Sequence, residues 1–187
     1  MNKNLISAIL AGIMISISSI AYLNTNQILG AFVFSIGLLS ILHFDLSLFT
    51  GKVPYIKTCK ALPYLITILI GNIIGCFIMF AFPSNIALTI MQKNLNISLL
   101  TIFIRSMLCN IVIYVAVECY KKKDILSVIL LIVVFIISGF DHCIARICFI
   151  ISARLFTIDV FIYIFVVILG NATGGVLFHK LKEKTYK

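Results

Sequence analysis

The sequence predicts an all-α membrane protein, one domain over residues 1–187 with six transmembrane helices in two three-helix halves. Three observations predict it. The first is composition: 62% of the residues are hydrophobic, 11% are charged and the mean hydropathy is +1.19. A soluble domain carries about a quarter of its residues as charges. The second is a series of six apolar runs, most of them close to the roughly 20 residues that cross a bilayer as a helix. The third is the placing of the cations between those runs. A chain of 187 residues holds six crossings and short loops, with no room for a sizeable soluble catalytic head.

The first run, about 5 to 22, follows Lys3. It is long for the apolar part of a signal peptide, no small-residue cleavage pattern closes it, and five further runs follow. The second run covers about 28 to 42. A disturbed stretch then extends over about 43 to 60, with HFDLSLFTG from His43 to Gly51 placing polar groups at the end of an apolar run. The third helix is expected at about 62 to 82 and the fourth at about 97 to 119. The fifth begins near 125, and the sixth covers about 157 to 179.

The fifth run is irregular. From Ile125 to Phe140 a helix rises about 24 Å, short of a hydrocarbon core about 30 Å thick. The crossing must continue through SGFDHCIAR, Ser138 to Arg146. A glycine and polar groups in mid-span mark a broken helix lining a cavity.

Topology follows from counting cations. With six crossings and a cytoplasmic N-terminus, Lys3, Lys52, Lys57, Lys60, Lys121, Lys122, Lys123, Lys180, Lys182, Lys184 and Lys187 lie inside, against Lys93 and Arg154 outside. Eleven against two is a strong positive-inside bias. Both termini are therefore expected in the cytoplasm, and the chain is expected in a plasma membrane of the prokaryotic kind.

The halves echo one another. Ile70 to Gly75 reads IGNIIG and Leu169 to Gly175 reads LGNATGG, each in the last helix of a half. An irregular segment precedes each. Three crossings per half make the halves, about 5–82 and 97–179, inverted repeats.

The net charge of +9 resolves into short lysine clusters suited to anionic lipid headgroups, so lipid and not nucleic acid is the expected partner. Cys59, Cys76, Cys109, Cys119, Cys143 and Cys148 fall mostly in apolar runs without a CxxC pattern, which reads as buried small hydrophobes. No disulfide framework, metal site or cofactor is expected. No HExxH, GxxxxGK[ST], GxSxG or dinucleotide fingerprint is present, so no enzyme is prescribed.

Asp141, His142 and Arg146 are the candidates for chemistry, because an ionisable group in mid-membrane must face a partner, water or a cavity. A histidine exchanges protons near neutral pH. In a narrow pore it attracts a small anion as a cation, or donates a proton so that the anion crosses as a neutral acid. The alternative is a structural histidine beside an Asp141–Arg146 pair that holds the bundle together. Gly71, Gly75, Gly170, Gly174 and Gly175 suit close helix packing. Asn72 and Asn171 either cap backbone groups freed at the helix breaks or join helices. Leu48 and Phe49 read as hydrophobic gates or as ordinary core residues.

Taken in order, these motifs resemble the formate/nitrite transporter family. The resemblance runs through Ser47 to Thr50 (SLFT), Gly71 to Gly75 (GNIIG), Cys109-Asn110, Gly139 to Arg146 (GFDHCIAR), and Gly170-Asn171 with Gly174-Gly175. It implies a six-helix, aquaporin-like protomer with one pore, assembled as a homopentamer. It also implies conduction of a small monovalent anion such as formate, nitrite or hydrosulfide, with or without a proton. His142 would be the central pore histidine, Asp141 the acid before it, Leu48 and Phe49 a constriction, Thr50 the adjacent loop threonine, and Ser47 a support of the first break. This chain departs from the family pattern at Ser47, where the family has an acid, and at Arg146, where it has an asparagine. A non-transporting membrane scaffold that keeps the fold is the alternative function.

Overall fold

The computed structural model describes residues 3–185; Lys187, counted above, and the Cys59 side chain lie outside the described residues. Among those residues there are nine α-helices: α1 Lys3–Leu23, α2 Gln27–His43, α3 Phe49–Lys52, α4 Leu62–Cys76, α5 Asn85–Leu95, α6 Leu99–Lys121, α7 Ile125–Ile137, α8 Cys143–Ala153 and α9 Ile158–Thr185. Four segments are long and apolar enough to cross a membrane: Lys3–Leu23, Leu62–Ala81, Leu99–Lys121 and Ile158–Thr185. The remaining apolar helices α2, α7 and α8 are shorter. The 13 residues of α7 rise only about 20 Å.

Local chemistry sets the ends. Asn26, Ser84, Ser98 and Asp124 cap α2, α5, α6 and α7 by accepting a hydrogen bond from a first-turn N–H. Gly139, at φ +69°, turns the chain out of α7, a conformation that costs glycine least. The expected third helix stops being α-helical at Cys76 and tightens into a 3-10 turn over Phe77–Ala81. That turn is tied to α8, since the Ser152 hydroxyl donates to the Phe82 carbonyl and the Ser84 N–H donates to the Ser152 carbonyl.

Helix α5 was not expected from the sequence. It is too short and polar for a crossing, yet Ala87 and Met91 bury one face as it packs on α8.

Packing is closest where glycines meet a neighbouring backbone. Helix α1 lies on α4 and α6 lies on α9. A Cβ on Gly71 would stand 2.6 Å from the Ala8 Cβ, and one on Gly170 2.7 Å from the Phe103 carbonyl oxygen. Gly75 faces the Ile9 backbone, Gly174 the Met107 backbone, and Gly175 the Asn110 amide and Pro54. The short helices cross over: α8 packs on α1 and α4, while α3 and the turn Val53–Tyr55 pack on α6 and α9. Outside, Leu10, Ile17, Ile36, Ile66, Leu126 and Phe165 are exposed, as a lipid-facing surface requires.

Candidate functional site

Two asparagines close the two helix breaks. In the first, Asn72 Oδ1 accepts from the Phe49 N–H at 2.9 Å, and its amide donates to the carbonyls of Ser47 (2.9 Å) and Ala8 (2.8 Å). In the second, Asn171 Oδ1 accepts from the Cys143 N–H at 2.8 Å, and its amide donates to the carbonyls of Asp141 (2.8 Å) and Ser106 (2.7 Å). Both asparagines are fully buried. A buried backbone group without a partner costs about 1–3 kcal/mol, so these amides make an open backbone tolerable inside the bundle. Ser47 supports the first break further, its N–H donating to the Ser7 hydroxyl at 2.9 Å.

His142 stands in the second break as the N-cap of α8, its backbone extended at φ −93° and ψ 120°. Its Nδ1 accepts from the Ala145 N–H at 3.2 Å. An acceptor Nδ1 places the ring proton on Nε2, which lies 2.9 Å from Thr50 Oγ1 in the first break. His142 is 2% exposed and Thr50 wholly buried. The two breaks therefore meet at this hydrogen bond.

Asp141, wholly buried, is held by two partners. Arg146 Nε donates to its Oδ1 at 2.7 Å and the Tyr163 hydroxyl donates to the same oxygen at 2.8 Å. Its second oxygen, Oδ2, has no hydrogen-bond partner among the described residues. A buried carboxylate needs such an ion pair to remain charged. The Arg146 guanidinium also lies 5.6 Å from the Phe149 ring centre, within cation–π range.

Two cavities flank the breaks. One of about 180 Å³ is lined by His142 and Arg146 together with Tyr22, Gln27, Phe34 and Phe135. The other, about 790 Å³, opens toward Lys52, Lys121 and Lys123 and reaches Leu48. Of the residues singled out for the pore, His142 and Arg146 thus line one cavity and Leu48 the other. Asp141, Phe49 and Thr50 line neither cavity and lie buried behind those that do.

Several site residues escape the sequence reading. Tyr163 looks like any aromatic of an apolar run; its only signal is a hydroxyl that needs a buried partner. Tyr22 and Gln27 lie at the end of α1 and the start of α2, with no motif around them. Asn110, which the sequence does mark through Cys109-Asn110, donates to the Asn171 carbonyl at 2.8 Å, adding a layer beneath the second break. Glu118 lies in the last turn of α6, where the sequence marks no partner for it. It accepts from the Tyr55 hydroxyl at 2.7 Å and pairs with Lys121 and Lys182. Among the described residues no group of three or more His, Cys, Asp or Glu is placed to hold a metal ion, and the five described cysteines are free thiols.

Long apolar helices around a sealed polar centre define an integral membrane protein. The chain belongs to the formate/nitrite transporter family, whose model matches residues 1–182. A solved structure described as a pentameric formate channel with formate bound is similar at a TM-score of 0.84 and 24% sequence identity, over 98% of this chain and 96% of that one. An FNT family ion channel is similar at 0.88 and 17% identity, over 98% of this chain and 89% of that one. At these identities the two structures establish a shared fold. Comparison with curated proteins returns no match.

Proposed function

We propose that this chain is a transmembrane channel for a small monovalent anion, formate, nitrite or hydrosulfide, or for the corresponding weak acid. The observation that carries the reading is His142, which borders a cavity on one side while its Nε2–H reaches Thr50 in the opposing break. The Ala145 N–H holds Nδ1 as an acceptor, so the ring N–H is the one on Nε2. An anion arriving there meets that N–H as a hydrogen-bond donor in a water-poor setting; a proton taken from water lets it cross as a neutral acid while the imidazole stays neutral. Leu48 is the hydrophobic constriction on the lysine-rich side, with Phe49 packed behind it, and Lys52, Lys121 and Lys123 gather anions there.

The whole chain is one domain of six crossings: α1, α2 with α3, α4 with its 3-10 extension, α6, α7 with α8, and α9. The matched hydrogen bonds of Asn72 and Asn171 support two inverted repeats and an aquaporin-like protomer. A homopentamer with both termini in the cytoplasm is the expected assembly, in line with the pentameric formate channel of the same fold.

Purified protein in liposomes, assayed with formate, nitrite, hydrosulfide and chloride gradients, tests the reading. Flux of at least one anion above empty liposomes supports it. The Asp141–Arg146 pair favours a second reading, a scaffold in which the arginine blocks the path; no flux of any anion selects that alternative.

A further inference from the structure

Arg146 presents an unused fork to the cavity beside His142. Its Nε is committed to Asp141 Oδ1 at 2.7 Å, whereas neither Nη group has a hydrogen-bond partner among the described residues, and neither is sealed away as a buried unpaired atom. The side chain is only 11% exposed, and the space it borders is the roughly 180 Å³ cavity walled by Tyr22, Phe34, Phe135, Phe140 and Phe149, with Gln27 and His142 as its other polar side chains. Unpaired guanidinium donors in so apolar an enclosure call for an acceptor. Because Asp141 takes the Nε side, the edge left free carries the two parallel Nη N–H groups. That edge matches a planar anion with two oxygens on one centre.

We infer that Arg146 makes this cavity a binding site for planar two-oxygen anions, carboxylates or nitrite, and selects them over hydrosulfide and halide. This deepens the anion-channel reading and rests on it for transport, though not for binding. Asp141 sharpens the choice. It cancels the formal charge of Arg146, so a spherical ion gains little from Coulomb attraction, while an oxyanion still gains two directed hydrogen bonds. Weak net charge also lets the anion leave, which conduction requires. The aromatic walls leave space beside the fork for hydrogen or a short alkyl group on the carboxylate carbon.

The test compares formate and hydrosulfide flux through wild-type and R146K protein in liposomes. Lysine keeps the charge opposite Asp141 and removes the fork. We expect formate flux to fall at least about tenfold and hydrosulfide flux to change less than about twofold. Equal loss of both, or no loss of either, overturns the inference. A second measurement needs no variant: the thermal unfolding midpoint of wild-type protein in formate against chloride at equal ionic strength. Greater stabilisation by formate supports the site, and equal stabilisation overturns it. Formate-specific stabilisation without flux of any anion would keep the binding site and discard the channel.

Discussion

Asn72 and Asn171 hold the two helix breaks with the same three hydrogen bonds. Each accepts from the N–H two residues beyond the carbonyl to which it donates: Ser47 and Phe49 around Leu48, Asp141 and Cys143 around His142. Each donates its other N–H to a long neighbouring helix, at Ala8 on α1 or Ser106 on α6. Leu48 and His142 are therefore counterparts, one apolar and one protonatable, at the centres of two like-built turns.

Replacing either asparagine with alanine strands three buried backbone groups. At about 1–3 kcal/mol for each, N72A and N171A each lose roughly 3 kcal/mol or more. Thermal unfolding of the detergent-solubilised protein measures this. N171A is also expected to lower anion flux in liposomes, because His142 loses the frame that fixes its backbone.

The glycines divide by what surrounds them. A Cβ on Gly174 meets the Met107 backbone, which cannot move aside, whereas one on Gly51 meets nothing within 4 Å. G174A should cost about 1–3 kcal/mol through overpacking. G51A, in helical α3, should leave stability unchanged or raise it by about 0.5–1 kcal/mol. The same unfolding assay separates the two.

Thr50 gives His142 its hydrogen-bond acceptor. T50V keeps the shape but leaves Nε2–H facing a methyl group, so anion flux should fall several-fold. T50S restores the oxygen and should restore most of the flux. Equal flux in T50V and wild type would remove this hydrogen bond from the transport step.

Asp124 offers a pH-dependent test outside the crossings. The Ser127 hydroxyl, and then the Ser127 N–H, lower its carboxyl from the ordinary value. A group whose folded pKa is lowered stabilises the folded state above its unfolded pKa, and that contribution disappears as pH falls through the folded one. The unfolding midpoints of wild type and D124N should therefore differ at pH 7 and converge in strong acid. A difference independent of pH would assign the effect to the cap's shape.

Much of the long-helix framework is legible in the sequence, because a lipid solvent demands runs of apolar residues and the lysines mark their ends. The interruption after Ile137 is legible for the same reason, since an apolar run too short to cross ends in Gly139, Asp141 and His142. What the sequence hides depends on how helices rotate against one another. The Tyr163–Asp141 hydrogen bond joins residues 22 apart and the Tyr55–Glu118 bond residues 63 apart, and no local pattern marks either pair. Helix α5 escapes because its burial comes mainly from packing on α8 rather than from a lipid-length run. Arg146 is visible as an intramembrane cation, but the commitment of its Nε to Asp141, which frees the other edge, is visible only in three dimensions.

Formate flux through H142A in liposomes, at incorporation and oligomeric state equal to wild type, tests the central claim most directly. A channel that passes its anion by way of the Nε2–H donor of His142 predicts a fall of at least about tenfold. Flux within about twofold of wild type, a free-energy change of only about 0.4 kcal/mol, would contradict it.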